Sequence, residues 1–265
     1  MEVDIHKTQY SLDDLLTIMS AMRDEKSGCK WTQKQTWQSL VHHTIEEAYE
    51  IVDAVEKGDS ADVKSELADM LNQIIFYSQI AKENHDFDFY DIVTFLAKKL
   101  ISRHPNVFLR DGSETLTYGE LEQQWEEIKN QEKHGKSIES ILDGIVPSLS
   151  ALSYAQKLQK KASSIGFDWS SSLGILPKLD EEMQEFKAAY SQDNVSQALE
   201  EIGDIMFTCV NLIRHLGADA ETVMRKASKK FDARFRRLES IIDLGEQKNP
   251  SKETLEDAWR IAKMG

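Results

Sequence analysis

The stretch EEMQEFKAAYSQDNVSQALEEIGD, Glu181 to Asp204, carries acids at both ends, a polar turn in its middle and apolar residues between. One acidic helix of this kind is ordinary, because charges three or four residues apart commonly form a solvated face. This chain writes it twice. EEAYEIVDAVEKGDSADVKSELAD, Glu46 to Asp69, has its acids in the same register: 182 − 47, 185 − 50, 201 − 66 and 204 − 69 all equal 135.

The match extends outward in order. LEQQWEEIK (Leu121 to Lys129) returns as LEDAWRIAK (Leu255 to Lys263), with Trp125 and Trp259 offset by 134. GCKW ending at Trp31 faces GFDW ending at Trp169, offset by 138, and KLISR (Lys99 to Arg103) mirrors KFDAR (Lys230 to Arg234), offset by 131. Offsets that drift by a few residues are what small loop insertions produce, and an ordered series of blocks reads as an internal duplication. The expected domains are 1–135 and 148–265, joined by a linker at 136–147.

Each half predicts the same helices. A first helix near 11–23 (or 149–163) leads to a loop ending in Trp, then a helix with EExxE, a short polar turn and a helix with ExxD. A third long helix and a short Trp-bearing one follow. Pro177 suits the first turn of its helix. Only 12 glycines and 4 prolines punctuate 265 residues, and no stretch alternates long enough to predict a strand. The predicted fold is all-α.

Composition narrows the function. A formal net charge of −14 argues against nucleic acid, which needs a basic face. Cys29 and Cys209 form no CxxC pattern and read as reduced thiols. The first residues lack a signal-peptide pattern, and no apolar run approaches the ~18 residues that cross a bilayer. A soluble, cytoplasmic protein is expected, with no membrane partner.

The acidic hairpin has its own chemistry. Glu182 and Glu185, three apart, share a helix face, as do Glu201 and Asp204. The turn near Ser191–Asn194 lies midway between Glu185 and Glu201, so an antiparallel pair brings the acids to one height. Lys57–Ser60 does the same for Glu47, Glu50, Glu66 and Asp69. Four carboxylates are then expected to converge in each half, where only a cation relieves their repulsion. Hard oxygen donors suit Mg²⁺, with Mn²⁺ as a substitute. Di-iron bundles pair Glu with His as ExxH, and none of the seven histidines lies three residues after a Glu. Apolar neighbours (Leu67, Met70, Leu71; Ile202, Ile205, Met206) predict that at least one acid per helix sits near the core.

These motifs, together with RHPNVF (Arg103 to Phe108), QKLQKKASSIGFDW and KKFDARFRR, resemble the MazG-type nucleoside triphosphate pyrophosphohydrolases in their tandem form. The resemblance covers nearly the whole chain. It implies an all-α homodimer that cleaves a nucleoside triphosphate to a monophosphate and pyrophosphate with Mg²⁺. It also implies metal ligation and catalysis by Glu182, Glu185, Glu201 and Asp204, with nucleotide contacts from Lys230, Arg234 and Trp259, and from Lys178 one turn before Glu182. Glu181, about 100° around the helix, either orients the attacking water or is plain surface. Trp259 either stacks on a base or fills a core. The first half departs from the family pattern: CKW and TQKQTW stand where Cys-Pro-Trp-Asp and Gln-Thr-His are usual, ELAD replaces ELGD, and HPNVF replaces HPHVF. The second half keeps EIGD and the denser basic helix, so the main active site is expected there. Two other readings explain fewer of these features: a narrower dUTP or phosphoribosyl-ATP pyrophosphohydrolase, and a non-enzymatic acidic helical binding module.

Overall fold

The computed structural model describes residues 4–108, 117, 119–121, 124–125, 128, 140–242 and 250–264. The chain forms two compact units, Met1–Gly135 and Lys136–Gly265. Residues 136–139 of the predicted linker and part of the Leu121–Lys129 block lie outside the described residues. Among the described residues every regular element is helical.

In the first unit the helices are α1 (Leu12–Met22), α2 (Lys30–Gln33), α3 (Trp37–Lys57), α4 (Ser60–Glu83), α5 (Phe89–Arg103) and α6 (Pro105–Phe108). Their starts are written in side-chain oxygens. Ser11 with Asp14, Thr36 with Ser39 and Asp88 with Asp91 form reciprocal caps, satisfying backbone N–H groups that the first helical turn leaves unpaired. The hairpin between α3 and α4 is as tight as helices allow. Gly58, at φ 77°, ends α3 in the left-handed region that glycine enters without a Cβ clash, and the Asp59 side chain caps α4 through the Ala61 N–H. Met19, Leu40, Ile75, Phe76 and Ile80 close the core, with Trp37, Tyr77 and Phe89 packed around them. Leu40 is 1% exposed, and burial of such a side chain contributes about 1.5–3 kcal/mol.

The second unit repeats the plan with α7 (Ala151–Ser163), a 3₁₀ turn at Ser172–Ile175, α8 (Leu176–Ser191), α9 (Val195–His215), α10 (Ala220–Ile242) and α11 (Lys252–Lys263). Pro177 occupies the first turn of α8 as the sequence predicts. In the α8–α9 turn Asp193 takes the left-handed conformation at φ 53° and the Asn194 side chain caps α9. Buried Ala189 and Ala198 flank this turn, and their small side chains let the two helices approach closely. Helices α10 and α11 pair through Leu238, Ile242, Ala258 and Ala262. No helix among the described residues is long and apolar enough to cross a membrane.

One expectation is met only in part. Glu182 is buried, but the apolar neighbours of the acids are not: Leu67, Leu71, Ile202 and Met206 are all at least a third exposed. They lie on outward helix faces, where Val41, Ile45 and Tyr49 of α3 continue the stripe beside Leu67, Leu71 and Ile74 of α4.

Candidate metal centre and nucleotide site

Each hairpin brings three carboxylates together. Glu182 from α8 meets Glu201 and Asp204 from α9, with ligand oxygens all within 4.8 Å of one another. Glu47 from α3 meets Glu66 and Asp69 from α4 in the same way. Two oxygens on opposite sides of one Mg²⁺ stand ~4.2 Å apart, so small side-chain adjustments let all three touch a single ion. The spacing predicts a fourth acid in each cluster; Glu50 and Glu185 fall outside this circle of oxygens yet still within its field. Glu201 is the strongest charge acting on Glu185, and Glu50 is the strongest acting on Glu66.

The repulsion is visible in the acidities. Burial, then Asp69, pushes the Glu47 carboxyl above its ordinary value of 4.5, and a hydrogen bond from Gln73 opposes the shift. Burial, then neighbouring acids, also raises Glu66 and Glu185. Glu182 is 5% exposed and has a counter-charge: Lys178 Nζ lies 2.7 Å from its Oε1 and 2.9 Å from Glu181 Oε1. Those hydrogen bonds, Glu182's first, hold the ammonium well above the ordinary lysine range. Lys178 and Glu181 therefore both stand at the cluster, with Glu181 on its exposed side.

The remaining predicted contacts sit on α10 and α11. Seven Lys and Arg residues against three acids give α10 a net +4, in a chain of −14. Lys230 is exposed and Arg234 half-buried, and neither has an ion-pair partner among the described residues. Trp259 packs on Phe231, with ring centroids 5.4 Å apart, beside the Leu238 cluster, while Lys263 lies over its ring. Among the described residues no hydrogen bond or ion pair joins Lys230, Arg234 or Trp259 to the carboxylates. The first half repeats the basic–aromatic pairing, with Arg103 over the Trp125 ring at 5.5 Å.

Sequence reasoning missed two groups. Asp168, in the GFDW loop, has His215 Nε2 2.8 Å from its Oδ1 and accepts a hydrogen bond from Arg214 on the same oxygen. Burial acts against its charge, but Arg214 and His215 hold its pKa down to about 2. This fixes the Trp169 loop to the far end of the helix that carries Glu201 and Asp204. The other group is Gln73, whose Nε2 donates to Glu47 Oε1 at 3.3 Å. Its position four residues after Asp69, hence on the same helix face, was the available signal.

Residues 35–108 and 170–238 each match the MazG nucleotide pyrophosphohydrolase domain. A nucleoside triphosphate pyrophosphohydrolase of Escherichia coli K12 is 41% identical over 256 residues, covering 95% of this chain and 97% of that one. The nucleoside triphosphate pyrophosphohydrolase/pyrophosphatase MazG of Thermotoga maritima is 40% identical, covering 96% of each. A crystal structure of a mazG-related protein from Thermotoga maritima aligns with 45% of this chain and 99% of that chain at 26% identity, with a TM-score of 0.38, a likeness too weak to build on. The chain belongs to the MazG nucleotide pyrophosphohydrolase family, with its domain present twice. The resemblance and the all-α fold read from the sequence are both borne out.

The acidities set a pH dependence. A carboxylate whose pKa is higher in the folded chain than in the unfolded one favours folding while protonated, and that contribution is lost as pH rises through the folded value. In EDTA, stability relative to a Glu66→Gln/Glu185→Gln variant is therefore expected to decline as pH climbs above 4.5, the ordinary value for these groups. Mg²⁺ or Mn²⁺ should cancel the decline. Urea midpoints measured across pH for both proteins check this; a wild-type midpoint that tracks the variant and ignores metal would contradict it.

Proposed function

We propose that this chain hydrolyses nucleoside triphosphates to nucleoside monophosphate and pyrophosphate in the cytoplasm, with Mg²⁺ (or Mn²⁺) at the carboxylate cluster of its second half. The observation that carries the reading is the meeting of buried Glu182 with Glu201 and Asp204 across the α8–α9 hairpin, in a chain of this family. The donor set fits a hard cation: three carboxylate oxygens lie near enough for one ion, with repulsion that an ion relieves. The ion supplies Lewis acidity, screening phosphate oxygens and lowering the pKa of water.

The chain's own residues do the rest. Glu182, Glu201 and Asp204 hold the ion, and Glu185 completes the set once its repulsion by Glu201 is neutralised. Lys178 places a positive charge beside the cluster. Lys230 and Arg234, four apart on one face of α10, offer unpaired cations to the β- and γ-phosphates, where charge accumulates as pyrophosphate leaves. Water adds across the α–β anhydride, its oxygen going to one phosphorus and its proton to bulk solvent or the leaving oxygen. Trp259 borders the basic helix as a face for the base. Glu181, tied to Lys178, orients that lysine.

The active unit is 148–265, with 1–135 as its folding and dimer partner and 136–147 as the linker. The exposed stripes support a homodimer, since two such hairpins face to face make a four-helix bundle with an apolar seam. Light scattering is expected to give twice 30.3 kDa for the wild type and a monomer for Leu67→Glu/Leu71→Glu. A monomeric wild type would sink the dimer.

Product analysis by ³¹P NMR over a panel of NTPs and dNTPs tests the reaction itself. Monophosphate and pyrophosphate are expected with Mg²⁺, and no turnover in EDTA; diphosphate and phosphate would overturn the cleavage position. Glu201→Gln should lower kcat/KM by ~100-fold or more, and Glu66→Gln by far less. Equal losses would contradict placing the main site in the second half.

A further inference from the structure

The two halves start their acid-bearing hairpins differently. In the first, α3 begins on its own cap, Thr36 with Ser39. In the second, no side chain among the described residues caps α8, which runs straight out of the 3₁₀ turn at Ser172–Ile175. What holds that turn comes from a distance. Asp168 Oδ1 accepts a hydrogen bond from Arg214 and lies 2.8 Å from His215 Nε2, both in the last turn of α9. The guanidinium is itself aimed by buried Asn211, whose Oδ1 accepts from it at 3.0 and 2.6 Å. The Trp169 N–H donates to Asp168, and the Trp169 ring lies against Gly174, where a Cβ would stand 3.3 Å from Cδ1. Ile175, fully buried, leads into α8, whose third residue is Lys178 and whose seventh is Glu182. The first half lacks the residues for this clamp. By the offsets of the repeat, Lys30 stands for Asp168, Gln79 for Arg214 and Ile80 for His215.

We propose that Asp168 is a positioning residue for the second-half site: its clamp on Arg214 and His215 sets where α8 begins, and so holds Lys178 and Glu182 against Glu201 and Asp204. The inference rests on the functional reading for what the site does. Helix α9 carries Glu201 and Asp204 and ends in Arg214 and His215. Asp168 therefore ties the entry of α8 to the very helix whose acids Glu182 must meet. The turn at 192–194 fixes one end of this helix pair, and the clamp fixes the other. A first turn with uncapped N–H groups frays unless something outside the helix holds it. A charge-assisted hydrogen bond sheltered from water is strong enough to do so, and the Asp168 and Arg214 side chains are only 23% and 16% exposed. The basic helix has a separate tie. Gln156 of α7 bonds the Ala218 carbonyl and the Ala220 N–H at the start of α10. Loss of Asp168 then disturbs Lys178 and Glu182 and leaves Lys230 and Arg234 where they are.

The test compares full-length Asp168→Asn, Arg214→Gln and the double variant with wild type, by hydrogen exchange and by steady-state kinetics. In Asp168→Asn, exchange should quicken at 170–182 and stay unchanged across α10. Its kcat should fall by ~10-fold or more, and the Mg²⁺ concentration for half-maximal turnover should rise by a similar factor. KM for the nucleotide at saturating Mg²⁺ should stay within ~2-fold, because Lys230 and Arg234 have not moved. The double variant should be no worse than the poorer single one, as expected of two groups that act only through each other. If Asp168→Asn fails to fold by circular dichroism, His215→Gln, which removes one partner of the clamp, carries the same comparison with a smaller effect. Exchange that quickens through the whole second unit, kinetic losses that fall on KM instead of kcat, or additive losses in the double variant overturn the proposal. Hydrogen exchange needs neither nucleotide nor metal, so the two readings fail separately. A wild type without turnover sinks the functional reading, while exchange at 170–182 still decides whether Asp168 places the start of α8.

Discussion

Like charges held at a fixed distance are the constraint on which the rest of this structure depends. Glu182, Glu201 and Asp204 come from two helices whose register is locked by a three-residue turn. A one-residue slip in either helix would swing its acid about 100° around the axis and dissolve the cluster. The capping Asn194, the left-handed Asp193 and the small Ala189 and Ala198 all serve that register. In the first half Gly58 and Asp59 reach the same end with one residue fewer. Different turns deliver the same geometry, so the geometry is the quantity that both halves hold in common.

The halves diverge in how they balance that charge. The second builds its balance from cations, with Lys178 on the buried glutamate, Arg214 on Asp168, and a net +4 along α10. The first uses a neutral amide on Glu47 and places the Arg23 guanidinium on Glu83 at 2.7 Å.

Much of this was legible in the sequence because helices turn spacing into geometry. The repeated EExxE and ExxD fix which acids share a face, and the position of the polar turn fixes their height, so the pairing across each hairpin followed from arithmetic. What escaped had no periodic signature. The contact of Asp168 with Arg214 and His215 joins residues 46 and 47 apart through a loop, and nothing local in GFDW announces it. The exclusion of Glu50 and Glu185 from the closest circle depends on side-chain reach, which spacing does not encode. The exposure of Leu67, Leu71, Ile202 and Met206 was misread because an apolar helix face signals burial without saying against what.

Anomalous diffraction from crystals grown with Mn²⁺ and a non-hydrolysable nucleoside triphosphate tests the central claim most directly. The account predicts a Mn²⁺ peak bounded by Glu182, Glu201 and Asp204, with the triphosphate reaching from it toward Lys230 and Arg234. A nucleotide bound elsewhere, with no metal among those three carboxylates, would contradict it.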